Sequence, residues 1–184
     1  MNSLEGHLLI ATPDLLAPIF ACSVILMIDH GEGGAMGVIL NRPTEATVAD
    51  LPAEVFGEVV AWDKPLHLGG PVPGPLMLLH ADPGLADREV LPGVYLTLDA
   101  AKAREVVARR AEPLLIAVNY SGWGAGQLEG EFDQQSWLTL PATAEHVFGS
   151  ARTDLWDSVV GRVQARKLSE FLGVRVIPTD PSLN

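Results

Sequence analysis

The order and period of the apolar segments predict an α+β domain built on a mixed β-sheet. Three observations carry this. Short β-type runs crowd the chain before Asp99; the longer helical patterns enter only after it; and single strands then alternate with helices without settling into a regular strand–helix–strand repeat. A 184-residue chain that is 48% hydrophobic and 19% charged can also close a core, since a folded domain of this size buries roughly 70% of its unfolded surface. No internal boundary and no repeat of about 20–50 residues interrupts it. Residues 1–177 are read as one domain and 178–184 as a loose tail.

The elements follow in order. His7 to Ala11, Ser23 to Ile28 and Met36 to Leu40 are short aliphatic runs of strand character, and the turn-rich His30-Gly31-Glu32-Gly33-Gly34 joins the last two as a hairpin. Thr47-Val48-Ala49-Asp50 has capping-box spacing, so a short helix is expected there, ended by Pro52. Leu76 to His80 and Val94 to Leu98 read as strands separated by Asp82-Pro83-Gly84, with Gly69-Gly70-Pro71 and Pro73-Gly74-Pro75 punctuating the approach. Asp99 caps a helix over Ala100 to Glu112 that turns Ala103, Val106, Val107 and Ala111 inward, and Pro113 marks its end. Leu114 to Val118 is a buried strand, Gln127 to Gln134 a helix, and Trp137 to Leu140 another strand. From Thr153 the residues Trp156, Val159, Val160, Val163, Leu168, Phe171 and Leu172 fall on one helical stripe that Gly173 terminates, before a last strand at Val174 to Ile177.

Composition excludes several functions. A net charge of −11 opposes binding of a polyanion, because phosphate contacts need clustered cations, and Arg104, Arg109 and Arg110 lie on the solvated face of a helix. No direct nucleic-acid partner is expected. Cys22 is the single cysteine, which removes any intrachain disulfide or Cys-x-x-Cys site and favours a reducing compartment. The apolar runs are too short for a bilayer and the N-terminus lacks a signal-peptide pattern, so a cytoplasmic protein without a membrane partner is expected. His7, His30, His67, His80 and His146 show no metal-ligand spacing, and neither a metal nor a cofactor is expected.

Asn119 to Glu131 is the segment with the strongest site character, a buried strand breaking into Gly122, Gly124 and Gly126 before an acidic helix. As a dinucleotide cradle it fails on spacing, with Gln127 at the third glycine position, and on charge, with Glu129, Glu131 and Asp133 where an anion would sit. As a nucleophile turn around Ser121 it fails because Asn119 and Trp123 occupy the flanking glycine positions. Ser121 therefore reads as a small packing residue, and Glu129 with Asp133 as a solvated helix face.

The motifs together carry a resemblance. Leu9-Ile10-Ala11-Thr12-Pro13, Phe20-Ala21-Cys22-Ser23-Val24, His30, Gly34 to Pro43, Gly69-Gly70-Pro71-Val72, Leu79-His80, Tyr120-Ser121-Gly122-Trp123, Gly126 to Glu131, Trp137-Leu138, Pro141-Ala142, Val147-Phe148, Trp156 and Leu172-Gly173-Val174 resemble, in order, the YqgE/AlgH family of bacterial proteins. That resemblance implies a single α+β domain with a strongly curved mixed sheet, barrel-like, flanked by helices. The family's biochemical activity is unsettled; some members carry the label of transcriptional regulator, without a DNA-binding motif that maps onto any position here. This chain departs from the family pattern at Cys22, where a basic residue often stands, and in a longer Trp156 to Gly173 spacing that implies an extended C-terminal helix.

On this reading the protein is a non-catalytic binding or regulatory protein with a small-molecule or protein partner. The candidate ligand-binding or family-motif residues are Asn41, Arg42, Gly69, Gly70, Pro71, Tyr120, Trp123, Gln127 and Glu129. Arg42 offers a carboxylate or phosphate partner, and Trp123 a large apolar face with one donor. The alternative is an enzyme that brings Glu129, His80 or Ser121 into one cleft.

Overall fold

The computed structural model describes residues 3–57, 60–149 and 154–172, with side chains described as far as residue 166. The strands are β1 (His7–Ala11), β2 (Val24–Gly31), β3 (Gly34–Ile39) and β4 (Pro43–Thr47), followed by helix α1 (Ala53–Phe56). Next come β5 (Pro65–Leu68), β6 (Met77–His80), β7 (Arg88–Leu91) and β8 (Val94–Thr97), then α2 (Ala100–Ala108), β9 (Leu114–Val118) and β10 (Ser121–Gly124). Helix α3 (Gln127–Asp133), strand β11 (Trp137–Pro141), and helices α4 (Ala144–Phe148) and α5 (Leu155–Leu172) complete the order.

The expected α+β class forms, but the strands make two sheets. The first, ordered β10-β3-β2-β1-β11, is antiparallel throughout. The second, ordered β4-β5-β9-β6-β8-β7, is mixed, with β5 and β9 parallel. Neither closes into a barrel, which corrects the barrel-like expectation. Val24 to Ile28 are buried without alternation, so apolar side chains leave both faces of the sheet. Open sheets stacked between other layers can cover both faces, whereas a small barrel has only one dry side.

Three apolar layers result. Leu8, Ile10, Leu26 and Val38 of the first sheet meet Met77, Leu79, Leu96 and Leu115 of the second, and Val147 of α4 with Val159, Val160 and Val163 of α5 packs into the same layer. The far face of the second sheet, Leu66, Leu78, Leu114 and Ile116, lies under Phe56 of α1 and Ala103, Val106 and Val107 of α2. The far face of the first sheet, Leu9, Ile25, Met27 and Ile39, packs with Trp123, Leu128 and Trp137. Each fully buried aliphatic side chain contributes roughly 1.5–3 kcal/mol, so both sheets are held from two sides.

The hairpin of β2 and β3 forms as expected, with Gly31 opposite Gly34. Thr47 and Asp50 make the expected capping box on a 3-10 turn at Val48–Asp50, and Asp99 accepts from Ala101 and Lys102 at the start of α2. That helix ends at Ala108, four residues before Glu112, because Arg110 turns left-handed at φ 48°. Strands β4, β5, β7 and β10 and helices α1 and α4 go beyond the sequence expectation. Strand β4 is largely exposed at a sheet edge, and β10 is Ser-Gly-Trp-Gly, a composition of turns. The expected strand at Val174 to Ile177 and the tail lie outside the described residues, as do the side chains of Leu168, Phe171 and Leu172.

Candidate functional site

The segment Asn119 to Glu131 is a joint held by its own side chains. Asn119 sits at φ 63°, a left-handed conformation that asparagine tolerates, and swings the chain out of β9 into β10. Strand β10 pairs antiparallel with β3, Gly122 lying opposite Met36 and Trp123 opposite Ala35. Gly126 at φ 73° turns the chain into α3. Gln127 accepts from the Gly124 N–H at 3.1 Å and donates to Glu131 Oε1 at 3.0 Å. Glu131 Oε2 accepts from two indoles, Trp123 Nε1 at 2.9 Å and Trp137 Nε1 at 2.7 Å. Both indole rings are buried, 6.1 Å apart edge-to-face, with Phe20 stacked on Trp123. Glu131 is thus the acceptor that holds this layer together. Sequence reasoning passed over it, although its i, i+4 spacing from Gln127 was the available signal.

A second joint lies where the two sheets meet. The Gly69 N–H donates to the Val118 carbonyl, and the Gly69 carbonyl accepts from the Ile39 N–H at 2.9 Å and from the Ser121 hydroxyl at 3.1 Å. A Cβ on Gly70 would lie 2.2 Å from the Tyr120 carbonyl carbon, so only glycine permits this approach. Pro71 is exposed beside it, and Val72 bridges Tyr120. Farther along, the buried Asn41 accepts from the Val24 N–H at 2.9 Å and donates to the Cys22 carbonyl at 2.8 Å, while Arg42 donates to the Ala21 carbonyl. These two residues clamp the turn that enters β2. Cys22 itself is exposed there at φ 55°.

Glu129, His80 and Ser121 are each engaged separately. His30, buried on the outer face of the first sheet, accepts at Nδ1 from the Leu4 N–H, which leaves Nε2–H to donate to Glu129 at 3.2 Å. The His80 ring accepts from the Asp82 N–H and donates to the Thr97 hydroxyl at 2.8 Å; that hydroxyl in turn donates to the Leu85 carbonyl. Burial holds His80 below the ordinary imidazole pKa. Ser121 is fully buried, its hydroxyl committed to Gly69. Among the described residues no three His, Cys, Asp or Glu side chains gather at metal-holding distance.

A cleft of about 580 Å³ opens beside the first joint. It is lined by Asp29, the turn glycines Gly31, Gly33 and Gly34, and Met36, Val72, Tyr120 and Gly122. A β-bulge shapes it. Met27 pairs with Gly37 but Asp29 with Met36, so one extra residue on β2 shifts the pleat. Without the bulge Asp29 would share the outer face with Met27; with it, Asp29 lines up with Met36 on the cleft side and His30 passes beneath α3. The Tyr120 ring packs between Gly74 and Gly122, where added Cβ atoms would stand 2.8 Å and 3.0 Å from its edge carbons. Of the nine sequence candidates, Tyr120 borders the cleft, Trp123 contributes to its lining while its ring is buried in the opposite face, and Gly69, Gly70 and Pro71 adjoin it through Val72. Gln127 and Glu129 sit on α3, and Asn41 and Arg42, between β3 and β4, bond the turn that enters β2. A separate groove of about 440 Å³, lined by Leu51, Val55, Phe56, Leu76, Leu98 and Val118 among others, lies against α1 and α2.

Fold and site define a two-sheet α+β protein with a glycine-built joint beside an open cleft. The chain belongs to the YqgE/AlgH family: residues 8–167 match the family model described as AlgH-like. It is 37% identical over 164 residues to the UPF0301 protein ML0028 of Mycobacterium leprae, covering 85% of this chain and 81% of that one. It is 39% identical over 180 residues to a UPF0301 protein of Xanthomonas campestris pv. campestris, covering 92% and 95%. The solution structure of the AlgH protein from Pseudomonas aeruginosa superposes with a TM-score of 0.75 at 28% identity, covering 96% of each chain. The crystal structure of DIP2367 from Corynebacterium diphtheriae shares the fold, with a TM-score of 0.71 at 24% identity over 86% of each chain.

Proposed function

We propose that this is a non-catalytic binding protein whose ligand enters the cleft between the β2–β3 hairpin and Tyr120. One observation carries the reading. The bulge on β2 aims a carboxylate into a concave space whose floor, Gly122 and Met36, leaves main chain close to the surface, which is how orienting polar groups are offered to a ligand. The surrounding polar side chains are committed elsewhere: Ser121 to Gly69, Glu131 to two tryptophans, Glu129 to His30. This leaves a site suited to holding a ligand, with Asp29 as its charged group among the described lining residues. A regulatory role fits the same site, with ligand occupancy read out by a protein partner. The charge of −11 argues against direct contact with nucleic acid. No described helix is long and apolar enough to cross a membrane.

A thermal-shift screen against a panel of small metabolites tests this, with Gly31→Phe as the obstructed control. Gly31 lines the cleft, and a Cβ there meets nothing within 4 Å, so a larger side chain starts in open space at the cleft wall. A ligand at 100 times its dissociation constant adds about 2.7 kcal/mol of stability. The proposal expects a hit that stabilises the parent protein and loses its effect in Gly31→Phe; a hit that stabilises both equally places the ligand elsewhere.

A further inference from the structure

We infer that the cleft takes an organic cation, an ammonium or guanidinium group on a slim apolar stem. This rests on the cleft being the binding site and names what it selects. Among the described residues that line it, Asp29 is the one carboxylate, and no lysine, arginine or histidine is present to neutralise it. The nearby guanidinium of Arg88 donates to the Ile28 carbonyl and pairs with Glu5, and it does not line the cleft. Asp29 therefore faces the cleft as an exposed charge in a protein that already carries −11, an arrangement that draws in a cation and repels an anion. The remaining lining suits such a ligand. The Met36 thioether is polarizable, and the Tyr120 ring, seated against Gly122, presents aromatic surface along which a stem can lie.

Register adds a feature that separates two sources of that cation. Tyr120 exchanges both main-chain bonds with Val72, on the side away from β3. Successive residues alternate their bonding direction, so the N–H and C=O of Gly122 also point to this open edge of the sheet. The basic side chain of an extended peptide would bring main chain to Gly122, whereas a free amine would not.

The test is an amide-resolved NMR titration of the full chain with four probes: agmatine, the neutral pentylurea, the anion pentanoate, and the tripeptide acetyl-Ala-Arg-Ala-amide. Asp29 is exposed, so Asp29→Asn removes the charge and leaves the packing in place. Agmatine or the tripeptide is expected to shift the amides of Asp29, Met36 and Gly122, and Asp29→Asn to weaken that binding roughly fivefold, the upper range for an exposed charge pair. A preference for the tripeptide with the largest shift at Gly122 assigns a peptide source; equal or tighter agmatine binding assigns a free amine. Pentylurea binding at the same amides with the same affinity, unchanged in Asp29→Asn, overturns the cation and leaves the cleft standing. Silence from all four probes also overturns it, and the metabolite screen with Gly31→Phe then decides the cleft on its own.

Discussion

Glu131→Ala should be among the most damaging single changes to this protein, although the residue is only half buried. Its Oε2 receives the N–H groups of Trp123 and Trp137, whose side chains are 5% and 4% exposed. Removing the carboxylate leaves both indoles without the acceptor they have among the described residues. A buried donor left unpaired costs about 1–3 kcal/mol, so the pair should cost about 2–6 kcal/mol. That is a large share of the roughly 5–15 kcal/mol that holds a typical domain together. Glu131→Gln keeps an oxygen in the same place and loses only the charge on those bonds, which should cost about 1 kcal/mol. Urea unfolding followed by tryptophan fluorescence reads both values, since the two indoles are themselves reporters. A Glu131→Ala variant that unfolds within about 0.5 kcal/mol of the parent, or a Glu131→Gln variant as damaging as Glu131→Ala, would refute this role for the carboxylate.

Other changes follow from the same geometry. Gly70→Ala should cost at least about 3 kcal/mol by chemical denaturation, because the added Cβ meets backbone at Tyr120 and Ser121 that cannot step aside, whereas Gly33→Ala, with open space around it, should cost about 1 kcal/mol or less. Asn41→Asp keeps the acceptor for the Val24 N–H but loses the donor to the Cys22 carbonyl and buries a charge beside it; a loss of about 2–4 kcal/mol is expected, measured the same way. Stability should also depend on pH through His80. Its folded pKa lies below the ordinary 6.5 because burial disfavours the charged ring, so the unfolded chain binds more protons. The stability it contributes is complete above about pH 6.5 and drains away as pH falls below that value. His146 is lowered too, first by burial and then by Arg162, and adds to the slope with the same sign. Thermal melts at pH 7.5 and 5.5 should show a drop that His80→Gln makes smaller; an unchanged drop would remove His80 as a source.

Much of the fold was legible because its strands are apolar on their own account. Leu114 to Val118 is a continuous aliphatic run and His7 to Ala11 is aliphatic after its first residue, and both form strands over those same residues. What stayed hidden depends on partners distant in sequence. Pro43–Thr47 has no apolar pattern and becomes a strand because β5 pairs with it. Ser121–Gly124 reads as a turn, and only its ladder with β3 makes it a strand. The division into two sheets follows from crossovers at Gly69 and Asn119, where the sequence marks a turn but not the strand the chain turns to. The candidate site was readable in part. The glycines and Trp123 stand out in the sequence as unusual, but spacing alone could not tell that Glu131 would take up two indoles. Asp29 was hidden more deeply, since simple alternation from Met27 puts it on the outer face and only the bulge turns it into the cleft.

On the proposed function, ligands bind in the cleft while the glycine and tryptophan segment beside it serves as a structural joint. The most direct measurement is a fragment screen read by amide chemical shifts across the whole chain. Hits should cluster on Asp29 to Met36 and on Tyr120 and Gly122. Clustering in the groove at Leu51, Phe56, Leu98 and Val118, or around Asn41 and Arg42, with the cleft amides unmoved, would contradict it.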